Sequence, residues 1–572
     1  MKLLKQSAFV ILAGLLLVAC NGLKKMEKNM GDVQYRVNPN PLEVHNGEVK
    51  LNINGVFPEK YFDKKASLTL TPILTFEGGE VAFEPVTLQG EKVVANNKSI
   101  AYKAGGTFTY NSTVDFTEAM EYSDLILDVK GEKGNKEKVF ERFEIGKGVI
   151  ATPYMVLDNE ALVFAPHNYT RVTKHQQKAQ INYLVNSSAV RSSERRDDDI
   201  KEFKTFADTV KANENYTVKN VVIEAFASPE GELRRNEKLA DNRGNSAKKE
   251  VKRIFRKKVE DANDDFYNII PKGEDWLGFK ELMEQSTIED KDLILRILKM
   301  EKDLVKREKE IRNLAKTFVE VDKQILPKLR RSQIVANYEI MGKSDEQIKA
   351  LALDNPVDLD EREILYAAEV LIEDAETANK VFESATEVYP DNEKAFNNYA
   401  VSLHGLGKMD EAMKAAEKSL AISDNEYAHN TKGVILRQQG DLDAAKAEYN
   451  KAAGLGADVS YNMAIINVLR GEYQTAAKNV GSKKDFNAAL AYYLNGDNAK
   501  ALELIEAAIG SDETGSALYL KAIINAKDKN EAEMINALKL AIAKNADWKA
   551  KAAQDRNFVF YQGKSAFDAV VK

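Results

Sequence analysis

The spacing of apolar residues changes along this chain, and each change marks a different kind of element. Residues 8 to 18 are an unbroken apolar run. From Val33 to Ile150 the period is two: Val49, Leu51 and Ile53 alternate with polar residues, as do Leu68 with Leu70 and Leu125 with Leu127 and Val129. Turn signals at Asn38-Pro39, Gly78-Gly79, Gly105-Gly106 and Gly131 with Gly134 separate the runs, so short strands are predicted. Between Gln180 and Ile254 the order becomes β-α-β-α. Ile181, Tyr183 and Val185 alternate; Ile200, Phe203, Ala207 and Val210 fall at helical spacing behind Asp197, Asp198 and Asp199; Val218 and Val221-Val222-Ile223 read as a buried strand. A polar helix then runs through Leu239 and Arg243 towards Val251 and Phe255. Mostly helical, highly charged sequence with Trp276 follows, and Leu329 to Tyr338 reads as a further strand. From about Asp358 the pattern is helical almost to the end.

The first run changes the picture most. Met1-Lys2 and Lys5 precede it, and about a dozen apolar residues are too few to cross a hydrocarbon core of roughly 30 Å. It ends in Leu17-Val18-Ala19-Cys20, which resembles a bacterial lipobox. That resemblance implies a lipoprotein signal peptide over 1–19, cleavage before Cys20, and acylation of the Cys20 thiol and amine, so that an outer membrane becomes a partner through the lipid. Cys20 is the single cysteine of 572 residues, so it can form no internal disulfide. Residues 20–34 read as a polar, lipidated tether. The sequence after Cys20, Asn21-Gly22-Leu23-Lys24-Lys25, lacks the early acidic run of surface-exported lipoproteins of the Bacteroides group, so the periplasmic face is the expected location.

Charge excludes one class. Eighty-two basic against 89 acidic residues leave a net charge of −7, which gives no general affinity for nucleic acid. Length allows three or four domains. The strand spacing over 35–150 suggests an immunoglobulin-like β-sandwich, for which the sequence offers no site.

Over 170–342 the α+β pattern carries a second resemblance. Ile223 to Gly231, with Ser228-Pro229-Glu230-Gly231 at its turn, is similar to the OmpA-like peptidoglycan-binding family, and Asn236, Leu239 and Arg243 follow in that family's register without a gap. The resemblance implies a site for a stem-peptide diamino acid, with Arg243 as the forked cation for its carboxylate and Asn236 beside it. Ser228 stands where the family has the aspartate that holds the amine. A hydroxyl accepts a hydrogen bond from an ammonium without supplying charge. Residues 256–325 are read as a helical insertion in this domain, and the basic cluster Lys252, Arg253, Arg256, Lys257 and Lys258 as a solvated helix face.

The C-terminal part repeats. An alanine follows a turn glycine by five residues in Gly407 to Ala412, Gly440 to Ala445, Gly471 to Ala476 and Gly496 to Ala501; Ala378 and Ala532 extend the series, with gaps of 34, 33, 31, 25 and 31 residues. With Phe396, Gly433, Tyr449, Ala452 and Pro390, this resembles a tetratricopeptide array of five to six units over 358–562, its cap within Lys544 to Phe560. Such a solenoid implies protein partners on its concave face. His404 and His429 are read as packing or surface residues, and no trustworthy carboxylate-clamp set is present.

Five histidines show no metal spacing, and no nucleophile elbow or phosphate loop occurs. The expectation is therefore a non-enzymatic protein with no metal and no cofactor. Two functional readings remain open: a tether joining outer membrane to peptidoglycan, its repeats recruiting partners; or an accessory subunit of an outer-membrane assembly, secretion or import machine with a non-binding central scaffold.

Overall fold

A computed structural model describes residues 22–259 and 263–572. The expected signal peptide and the lipid site Cys20 lie outside the described residues. The chain divides into two compact units: the part up to Pro166 together with Tyr389–Lys572, and His167–Val388.

In the first unit, two sheets share one core. Glu48–Phe57 pairs antiparallel with Gly106–Asp115, Gln34–Asn38 and Val44–His45. Opposite it, Asp124–Lys133 pairs with Ser67–Phe76, Lys136–Val139 and Phe143–Lys147. The period-two pattern is met residue by residue: Val49, Leu51 and Ile53 from one sheet and Leu68, Leu70, Leu125, Leu127 and Val129 from the other are buried together. The reading of 20–34 as a polar tether needs correction. Residues 22–28 are helical, and Leu23 and Met26 belong to the sandwich core, with the Tyr61 hydroxyl donating to the Met26 carbonyl at 2.8 Å.

The same unit holds five helix pairs: Glu393–Gly405 with Met409–Ile422, Glu426–Gln438 with Leu442–Gly454, Ser460–Leu469 with Tyr473–Asn479, Phe486–Leu494 with Asn498–Ile509, and Ser516–Lys527 with Glu531–Lys544. The marker alanines 412, 445, 476 and 501 are fully buried, as close helix crossing requires. The short gap before Ala501 has a simple cause: Tyr473–Asn479 is a helix of only seven residues. Ala532 is a misreading. It is exposed, and Met534, fully buried, takes the marker position. The turn glycine is replaced there by Lys529, at φ +62°, which hid the register. The cap extends past 562, because Ser565–Val571 buries Phe567 and Val571.

The second unit is built on a four-stranded sheet. Its strands are β1 (Val172–Asn182), β2 (Tyr216–Ala227), β3 (Tyr267–Glu274) and β4 (Arg331–Met341), in the order β1-β4-β2-β3, with only β2 and β3 parallel. Helices α1 (Asp198–Ala212) and α2 (Leu233–Phe255) pack Phe203, Ala207, Ala247, Val251 and Phe255 against Ile181, Val221 and Ile223. The helical insertion expected over 256–325 is too wide, since β3 lies within it. An edge strand tolerates Pro271, which masked the pattern. Five helices from Trp276 to Leu329 follow β3 and bury a small core of their own around Phe279, Met283, Ile294, Ile311, Val321 and Leu326. Glu361–Tyr366 and Ala375–Val388, counted with the repeats in the sequence, fall in this unit.

Candidate functional site

Two places have the geometry of a site. In the second unit, β2 ends in the turn Ser228-Pro229-Glu230-Gly231, where Gly231 sits at φ +96°. Ser228, Asn236 and Arg243 are all buried there. Asn236 Nδ2 donates to the Glu230 carbonyl at 3.0 Å and to Glu274 Oε1 at 2.8 Å, with the Ser228 carbonyl at 3.4 Å. The Ser228 hydroxyl donates to Glu230 Oε1 at 2.7 Å.

Arg243 is the surprise. The residue is 1% exposed, and its guanidinium donates to the main-chain carbonyls of Ser187, Phe226 and Leu184 at 3.0, 2.8 and 3.2 Å. The Tyr183 ring lies 5.2 Å from it. Among the described residues no carboxylate bonds this cation directly, and burial pushes its pKa down to about 10. The carboxylate nearby is bonded to another arginine: Arg330 Nε and Nη2 each reach Glu230 Oε1 at 3.0 Å, and Arg330 lies 3.4 Å from the Ser228 hydroxyl. Sequence reasoning passed over Arg330 as part of a strand run. The insertion also closes on the turn, because Glu308 Oε1 accepts the Gly231 N–H at 2.7 Å. Burial raises the Glu274 pKa, with Glu308 and Glu237 adding to it, while the Trp276 indole donates to its other oxygen at 2.8 Å. The three expected residues are thus assembled, and each already has partners within the domain.

The second place was not foreseen. Residues 156–165, between the sandwich and the second unit, have no secondary structure and run along the first helices of the repeats. Three asparagines grip their main chain in the same way, using both polar atoms of one side chain on one residue. Asn487 accepts from the Leu157 N–H at 2.9 Å and donates to the Leu157 carbonyl at 2.9 Å. Asn462 does so for Ala161 at 2.8 and 3.1 Å. Asn398 does so for Ala165 at 2.7 and 2.9 Å. The gripped residues are four apart, and their asparagines lie on the first, third and fourth of the five helix pairs. Asn430 adds a bond to the Ala161 carbonyl at 2.8 Å and accepts one from Asn462, also at 2.8 Å.

Side chains add selectivity. Arg437, 7% exposed, is held by Asp158 at 2.7 Å and by Glu160, whose side chain is fully buried. These two carboxylates outweigh burial and keep the guanidinium pKa raised. Asn159 Oδ1 accepts from Asn487 at 2.6 Å and lies 2.8 Å from the Tyr461 hydroxyl. Leu162 packs into a pocket of Val434, Tyr449, Val459 and Ile466. The asparagines were legible as a recurrence at 398, 430 and 462, but their partner segment has no period of its own. His404 bonds Gln438 at 2.8 Å, and His429 lies between Glu448 and Asp424, both roles structural. Among the described residues no cluster of metal-ligating side chains occurs, and no helix is long and apolar enough to cross a membrane.

Comparison with known proteins agrees with the array. Models of the tetratricopeptide repeat family match residues 372–428 and 427–455. Tetratricopeptide repeat protein 36 of Xenopus tropicalis is 30% identical over 139 residues, which are 23% of this chain and 67% of that protein. Among solved structures, a tetratricopeptide repeat protein from Parabacteroides merdae aligns at 15% identity over 46% of this chain and 96% of its own, with a TM-score of 0.28. YrrB, described as a tetratricopeptide repeat protein with an unusual peptide-binding site, aligns at 16% over 36% of this chain and 95% of its own, with a TM-score of 0.20. With buried repeat markers, stacked helix pairs, the two family-model matches and the 30% identical relative, of which two thirds is covered, the chain belongs to the tetratricopeptide repeat family, whose arrays mediate protein–protein interaction.

Proposed function

We propose that this protein is a non-enzymatic accessory scaffold of an outer-membrane assembly, lipid-anchored through Cys20 on the periplasmic side, with its working surface on the sandwich and repeats. In this reading the central OmpA-like domain is a structural body that does not hold peptidoglycan. One observation carries the choice: Arg243, the cation expected to take a ligand carboxylate, donates instead to three carbonyls of its own domain. Ser228 supplies no charge for an amine, and the acid beside it, Glu230, is paired with Arg330.

The second reading, a tether to the cell wall, has one observation in its favour. Arg243 stands near Glu230 but is bonded only to carbonyls, so its charge is one that an incoming carboxylate would neutralise. Sedimentation of the soluble protein lacking residues 1–20 with purified sacculi separates the two. The scaffold reading expects the protein in the supernatant. Pelleting of wild type, lost in Arg243→Ala, would establish the tether instead. Cys20→Ser should abolish labelling by radioactive palmitate and release the protein from membranes.

A further inference from the structure

We propose that the repeat groove is a binding site for an extended acidic–aliphatic segment of a partner protein, and that residues 156–165 are its exchangeable occupant in cis. This deepens the interaction role of the repeats and does not depend on membrane or wall contacts.

The groove is built for a main chain. Asn487, Asn462 and Asn398 each satisfy both amide groups of one residue, at every fourth position, and an amide pair is common to all sequences. A side chain that reads main chain accepts any extended polypeptide presented to it. Selection then comes from two subsites. Arg437 takes two carboxylates with one residue between them, and its Nη2 is buried with no hydrogen-bond partner among the described residues, so the subsite has donor capacity left. Two residues beyond the second acid, the pocket of Val434, Tyr449, Val459 and Ile466 takes Leu162. The fitting partner therefore carries acid-x-acid-x-aliphatic in an extended stretch.

The cis segment is a thin brace. Leu157 is 37% and Val163 47% exposed, whereas Val156 and Leu162 pack against the repeats and Ala165 is fully buried. What the array holds is the segment's main chain, its two acids and Leu162. Its hold is reinforced by the covalent link, which supplies an effective concentration of order mM. A partner segment with the same contacts must match that concentration locally or exceed those contacts, which makes the occupant a threshold against weak or wrong partners.

The test uses a fluorescent synthetic peptide of residues 156–166 and the soluble chain. In wild type the groove is filled, whereas the Asp158→Ala/Glu160→Ala chain has a weakened occupant and an unpaired Arg437. Fluorescence polarisation is expected to show saturable binding to this variant at least tenfold tighter than to wild type, and its loss when Asn462→Ala is added. Absence of saturable binding to the folded variant would overturn the proposal. Should the variant fail to fold, hydrogen exchange in the unmodified chain decides. Amides of Leu157, Ala161 and Ala165 exchanging faster than those of Ala464 and Leu490 indicate a segment that opens while the array stays folded. Equal rates mean a permanent brace and refute the proposal.

Discussion

Replacing Asn462 by alanine removes the centre of the ladder. Three hydrogen bonds go with it: two to Ala161, at 2.8 and 3.1 Å, and one to Asn430 at 2.8 Å. The Ala161 carbonyl keeps Asn430 as donor, but its N–H loses its acceptor. At about 1 kcal/mol net for each bond, and about 1–3 kcal/mol for a buried polar group left unpaired, the docking of the segment should weaken by about 2–4 kcal/mol. At about 1.4 kcal/mol per factor of ten, that is a rise in the opening equilibrium of about 30-fold to several hundredfold. Hydrogen exchange across 156–165 reads this directly, while amides in the repeat helices should change far less. Asn525→Ala is the matched control. Its amide donates to the Lys521 carbonyl of its own helix at 2.8 Å, so protection of the segment should not move. Unchanged exchange at Ala161 in Asn462→Ala, or an equal effect from Asn525→Ala, would refute the ladder as the source of the hold.

Other consequences follow from single contacts. In Gly433→Ala the new Cβ would lie 2.5 Å from Cε1 of the fully buried Tyr449, so overpacking should cost about 1–3 kcal/mol in denaturant unfolding of the repeats. Burial pushes the Glu250 carboxyl up, but Arg253 and Arg195 override it and leave the folded pKa below the ordinary value. Its stabilisation is therefore present above the unfolded pKa of about 4.3 and is lost as pH falls through the depressed folded value. The difference in unfolding midpoint between wild type and Glu250→Gln should be widest near neutrality and close on acidification. Arg556 donates to the carbonyls of Gly148, Tyr122 and Ser123 at 3.1, 3.0 and 3.0 Å and to Asp124 at 2.9 Å. Arg556→Ala should therefore cost about 1–3 kcal/mol, since part-buried carbonyls lose their donor; scanning calorimetry would show it in the unit holding sandwich and repeats.

How far the sequence carried these conclusions depends on whether a signal is local. The helix pairs are read from Gly-to-Ala spacing because turn and crossing lie within one repeat. The register slipped at Ala532 because Lys529 adopts the positive φ that glycine elsewhere announces. Strand β3 was missed because Pro271 forbids a central position but not an edge. The resemblance around Ser228 named three residues that the fold brings to one turn and left their partners unstated. Arg330, 87 residues after Arg243, reaches the turn only through folding, as does Glu308. The segment 156–165 was left outside every expected domain. Nothing in it alternates or repeats, and its meaning resides in asparagines more than 200 residues away.

The claim at the centre of this account is that the repeat groove is completed by the chain's own segment. Replacing residues 156–165 with a glycine–serine stretch of equal length tests it most directly. The account predicts that thermal unfolding of the repeats shifts down by several degrees and is restored by adding the 156–166 peptide in trans. A transition that stays in place after the replacement, and that the peptide does not move, would contradict it.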